Sequence, residues 1–135
     1  MNTTTSISPT AQSRTSKFVS WGLRILAALV FLAAGGAKLA GVPMMVEIFE
    51  HIGIGQWFRI VTGLIEIIGA IGLLVPAMAG LAGLLLAATM SAAILVHLFV
   101  IGGSPVPAIV LLLITATIAW QHRTSVPMLN RLGRG

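Results

Sequence analysis

Four apolar stretches, at about residues 17–39, 56–75, 79–101 and 106–121, are separated by short segments rich in Gly, Pro and polar residues. An α-helix needs roughly 20 apolar residues to cross the ~30 Å hydrocarbon core of a bilayer, so the first three predict spans and the fourth is short for one. Within the first three, residues recur at the helical spacing of one face, and in the second Ile and Leu take the opposite side. The first stretch places Arg24, Ala28, Phe31, Gly35 and Lys38 on one stripe. The second places Arg59, Gly63, Glu66 and Ala70 together and stops at Pro76. The third aligns Gly83, Leu86, Met90, Ala93 and His97, with Thr89 and Ser91 at mid-span.

Between the first two stretches lies a different pattern. Met44, Met45, Ile48, Phe49 and Ile52 fall on one side of a short helix beginning at Pro43, and Glu47, Glu50 and His51 fall on the other. This predicts an amphipathic helix lying at the membrane interface, ended by Gly53 and Gly55 before Trp57, a residue type that anchors at that level. The expected fold is therefore all-α: an integral membrane four-helix bundle with a short interfacial amphipathic helix between helices one and two. Residues 1–16, rich in Ser and Thr and without an apolar period, predict an irregular tail. Residues 122–135 predict a basic one.

Composition sharpens the class. Hydrophobic residues make up 57% of the 135 and charged residues only 8%, whereas a soluble domain carries roughly a quarter charged. A water-facing surface cannot be built from this chain. The core of the first stretch resembles a signal-peptide h-region, but Arg24 within it and three further apolar stretches argue for a retained helix. There are no cysteines, which excludes disulfides, thiolate metal sites, iron–sulfur clusters and dithiol redox chemistry within the chain. The net charge of +5 raises the question of nucleic acid, yet no basic face carries interleaved aromatics. The cations instead gather in the tails: Arg14, Lys17, Arg123, Arg131 and Arg134. With four spans, the positive-inside rule puts both termini in the cytoplasm.

The candidate chemistry is polar residues inside the spans. A charge at membrane depth costs at least a few kcal/mol and needs a partner or a wet cavity. Helical side chains lean toward the N-terminus of their own helix. In antiparallel neighbours, Lys38 therefore leans inward from the outer end of helix one, and Glu66 leans outward from the middle of helix two. His97 on helix three and Arg59 at the start of helix two lie at the same level, so a buried cluster of Lys38, Arg59, Glu66 and His97 is expected, with Arg24 approaching from the cytoplasmic side. Two cations about one carboxylate make such a pocket net positive, suited to an anionic or carbonyl-bearing ligand in an apolar cleft. No two histidines share a face, and neither metal nor haem is expected from this chain alone.

The pattern GGAKLAG, GIGQWFRIVTGLIEIIGAIGLLVP and a later Ala-x-x-x-His resembles the DoxX and DoxX-like family of small four-helix bacterial membrane proteins. Gly35 with Lys38 matches its Gly-x-x-Lys, Gly63, Glu66 and Gly69 its Gly-x-x-Glu-x-x-Gly, and Ala93 with His97 its Ala-x-x-x-His, within a likeness over about residues 20–120. That resemblance implies a bacterial inner-membrane protein. The family takes its name from a subunit associated with a thiosulfate:quinone oxidoreductase. The expected function is thus a membrane subunit of an oxidoreductase system that binds a small lipophilic or quinone-like molecule, with the lipid bilayer, a redox protein and further copies of itself as partners. A non-catalytic membrane scaffold or assembly factor, and a small transporter subunit, are the alternatives. A wet cavity reaching Glu66 from the outer face or laterally from lipid favours the ligand, a dry, fully paired cluster favours the scaffold, and a path open to both faces favours transport.

Overall fold

The computed structural model describes residues 9–126. Five α-helices make up nearly all of it: α1 (Pro9–Ala40), α2 (Pro43–Ile52), α3 (Gln56–Leu74), α4 (Ala79–Val96) and α5 (Val106–Gln121). α4 widens at its end into a π-helical turn, His97–Ile101, and a single 3-10 turn, Arg123–Ser125, follows α5.

α1, α3, α4 and α5 form the bundle, and α2 lies across one end of it. α1 packs chiefly on α3 and α4 on α5, while α3 against α4 joins the two pairs and a thinner α1–α5 contact closes the ring. Apolar side chains give no driving force between helices in lipid, so close backbone packing must supply it. Gly83 is one such contact: a Cβ there would lie 3.0 Å from the Thr115 carbonyl of α5. Phe31, Leu73, Leu86 and Ile118 are fully buried between the helices. Around them the outer surface is apolar, with Leu29, Ile68, Phe99 and Leu113 all largely exposed. That inversion of a soluble protein's surface is what a lipid-facing bundle requires.

Three helical stretches are long and apolar enough to cross a membrane: Arg14–Ala40, Gln56–Leu74 and Ala79–Ile101. The shorter α5, with 16 residues, measures about 24 Å at 1.5 Å per residue, short of the hydrocarbon thickness. The chain is a helical membrane protein.

One expectation is corrected and another refined. The helix begins at Pro9, so residues 9–16 are not irregular; extending an existing helix is far easier than nucleating one, and a Ser/Thr-rich segment follows when a long apolar helix lies beside it. Residues 1–8, and Arg131 and Arg134 of the expected basic tail, lie outside the described residues. The third apolar stretch, predicted as one continuous helix to residue 101, instead changes winding at His97, where a single N–H faces the carbonyls of both Ala93 and Ile94.

Candidate functional site

The site is built on the crossing of α1 and α3. Gly35 and Gly63 face each other so closely that a Cβ on Gly35 would lie 2.8 Å from the Gly63 carbonyl oxygen. A Cβ on Gly63 would in turn lie 3.1 Å from the Gly35 carbonyl oxygen and from Lys38 Cβ. Only glycine at this pair permits the approach. One turn along each helix, the approach carries Lys38 Nζ to 3.0 Å from Glu66 Oε2. Glu66 is 3% exposed, and the Lys38 side chain keeps slightly more surface. A lysine ammonium has three donors; among the described residues only Glu66 accepts from it.

Lys38 and Glu66 lie in the wall of a chamber of about 450 Å³. Phe31 and Ala34 of α1, Thr62 of α3, Met90 and Ala93 of α4 and Leu111 of α5 supply its mostly apolar sides. Its roof is α2, whose Met45, Ile48, Phe49 and Ile52 line it, with the largely exposed Met44 at its edge. The predicted amphipathic helix is present, with its apolar face spent on the bundle. Phe49 is buried and meets Phe58 edge-on at 5.8 Å between ring centroids.

Beyond the roof an open groove of about 580 Å³ runs between α2 and the π-helical turn, lined by Glu47, Glu50, His51 and Ser104. Met44, Ile48, His97 and Ile101 border both spaces, so they form the partition between a polar groove and an apolar chamber.

His97 is thus in the chamber wall, but no hydrogen bond joins it to Glu66. Its Nδ1 lies 2.9 Å from the Ala93 carbonyl oxygen. A carbonyl can only accept, so Nδ1 carries the hydrogen, and in the neutral ring Nε2 is left as the acceptor. The chamber therefore offers a donor at Lys38 and an acceptor at His97.

Arg59 was expected in the same cluster and is elsewhere. It donates through Nε to Gln56 Oε1 at 2.7 Å and through Nη1 to the Lys38 carbonyl. That carbonyl is among the last four of α1, which have no partner within their own helix and sit at the negative end of its dipole. They compete for the guanidinium and win it. Arg24 lies further away still. It donates through Nε to the Leu73 carbonyl, at the end of α3, and stacks 3.9 Å from the centroid of the Trp21 ring. Leu73 is seven residues beyond Glu66, about 10 Å along the helix axis, which separates Arg24 from the chamber. Of the five expected site residues, the structure brings together Lys38 and Glu66, adds His97 to the same chamber, and sets Arg59 and Arg24 apart as helix-end caps.

Sequence reasoning missed the roles of Gln56 and the π-helical turn. Gln56 Nε2 donates to the Val46 carbonyl of α2 at 3.1 Å; a lone Gln at a helix start carries no signal of this. Among the described residues no three His, Asp or Glu side chains converge as metal ligands.

A model of the DoxX-like family matches residues 22–120. The chain is also similar to the uncharacterized protein YdgD of Bacillus subtilis (strain 168), with 34% identity over 89 residues that cover 60% of this chain and 75% of YdgD. No solved structure matches it.

Proposed function

The chain belongs to the DoxX-like family, and from that premise we propose that it binds a small lipophilic, quinone-like molecule in the chamber beneath α2, as a membrane subunit of an oxidoreductase system. One observation carries this reading: an apolar space of about 450 Å³ has the Lys38–Glu66 pair in its wall and His97 at its partition. Ligand sites are concave, mostly apolar and furnished with a few placed polar groups, within roughly 300–1,000 Å³. A chamber that reaches Glu66, beside a lysine with donors left over among the described residues, supports the ligand over the scaffold.

Each polar residue has a role in this reading. Lys38 directs its remaining N–H groups at a carbonyl oxygen, and Glu66 holds the ammonium in place. His97 Nε2 accepts a proton from a hydroxyl or returns one, within reach of the groove and its carboxylates. The apolar walls exclude water and strengthen each of these contacts. A bound quinone would supply the redox chemistry; electrons come from a partner protein. Arg14, Lys17 and Arg123 all stand at the end of the bundle opposite α2, which favours a bacterial inner-membrane location with both termini cytoplasmic.

The test is native mass spectrometry of the chain released from nanodiscs, with co-isolated small molecules identified. A carbonyl-bearing lipophile retained by the native chain and lost on Glu66→Gln is the expected result. A chain carrying no small molecule but holding another membrane protein would turn the reading to the scaffold.

A further inference from the structure

The chamber has one wall unlike the others. Its sides are bundle helices, paired α1 with α3 and α4 with α5 by the close crossings at Gly35, Gly63 and Gly83. The roof is a 10-residue helix joined to the bundle at both ends by backbone turns, Gly41 at φ +70° and Gly53 at φ +80°. A left-handed φ is open to glycine at little cost, and nothing lies within 4 Å of where a Gly53 side chain would be. The joint at Gly53 is thus unpacked, whereas the one at Gly41 lies against the Arg59 guanidinium, 3.5 Å from where a side chain would begin.

What holds the roof down is chiefly apolar, and its polar fastening is slight. Phe49 and its apolar neighbours rest on the chamber. Among the described residues a single side-chain hydrogen bond reaches α2, from Gln56 Nε2 to the Val46 carbonyl. Glu47, Glu50 and His51, on its outer face, make none and are exposed. Gln56 is itself held by Arg59, whose other end grips the carbonyl of Lys38. The fastening of the roof is thus tied by two further hydrogen bonds to the residue that pairs with Glu66.

We propose that α2 is a lid and Gln56 its latch: the chamber opens toward the groove when the Gln56–Val46 bond is released, and its ligand passes there. This rests on the chamber being a ligand site. Arg59 acts on the chamber through Gln56 and Lys38, as a positioning residue. A neutral hydrogen bond contributes modestly, so its loss should raise the open population roughly five-fold.

The native chain has no cysteine, so one introduced thiol reports alone. Thr62→Cys puts a thiol in the chamber wall, and Ala70→Cys puts one in the fully buried core away from it. Each is carried in nanodiscs with and without Gln56→Ala, and the rate of labelling by a charged methanethiosulfonate reagent, which arrives from water and not from lipid, is read by intact mass. The expected result is a roughly five-fold faster reaction at Thr62→Cys with Gln56→Ala, and no change at Ala70→Cys. An unchanged rate at Thr62→Cys overturns the lid. So does an equal rise at both positions, which would mean general loosening. Labelling needs no ligand: a failed lid leaves the lipophile seen by mass spectrometry intact, and an absent lipophile leaves the labelling result standing.

Discussion

The bundle buries a cation near each end, and the two are treated differently. At one end Arg24, 3% exposed, is turned to backbone and ring: its Nε caps the end of α3 at Leu73 and its guanidinium lies over Trp21, while among the described residues its buried Nη2 has no partner. At the other end Lys38 is opposed by a carboxylate, keeps donors free among the described residues, and borders a chamber. Arg24 finishes a helix. The Lys38–Glu66 pair is more than closure needs, since Arg59 already caps α1 at the carbonyl of Lys38. A buried ion pair is weak evidence for stability, because hydrophobic residues of similar volume often serve as well or better. Its place beside an apolar chamber is what the proposed ligand role explains and helix closure does not.

The largest effect should come from separating the charges. Glu66→Gln leaves the Lys38 ammonium buried and unpaired, and should cost about 3–5 kcal/mol, read as a fall in thermal midpoint in detergent. Lys38→Met should cost a similar amount by stranding the carboxylate. The double variant should recover most of the loss and still retain no lipophile. Recovery of stability and of the ligand together would make the pair no different in kind from the Arg24 cap.

Much of this end was legible in the chain. Small residues on one face of each apolar stretch predicted the helical bundle, and the opposed lean of side chains on antiparallel helices set Lys38 toward Glu66. Helical periodicity gives a residue's height and face, however, and not its competitors. Arg59 and His97 stand at the right level, yet the helix-end carbonyl of Lys38 takes the first, and the Ala93 carbonyl takes one nitrogen of the second. Likewise, an apolar stripe on α2 says that something covers it; whether lipid or the bundle does so depends on the angle of the turns at Gly41 and Gly53. The π-helical turn has no local signature, because its winding depends on what packs around it. Arg24 shared a stripe with Lys38, but the two lie fourteen residues apart, about 21 Å along α1.

A smaller loss is expected at the other end. Arg24→Met keeps much of the apolar bulk of the side chain but leaves the Leu73 carbonyl without its donor, and an unsatisfied buried acceptor costs roughly 1–3 kcal/mol. Retention of the lipophile should be unchanged, since the chamber does not include this residue. Should Arg24→Met release the ligand as Glu66→Gln is expected to, the two ends would be one coupled site, and the separation of about 10 Å along α3 would not insulate them.

The smallest effect on stability should accompany a complete effect on binding. Ala93 lines the chamber and is only half-buried. Ala93→Phe places a ring in space that no side chain of the native protein fills, so the overpacking that costs about 1–3 kcal/mol in a dense core should be largely avoided. The thermal midpoint should stay within a degree or two of the native value, while the co-isolated lipophile disappears. The ion pair is untouched by this change, so lost binding can be assigned to volume and not to charge. A ligand retained in full by Ala93→Phe would place it outside the chamber, in the groove or on the lipid face, and Lys38 and Glu66 would then hold the bundle together as Arg24 does.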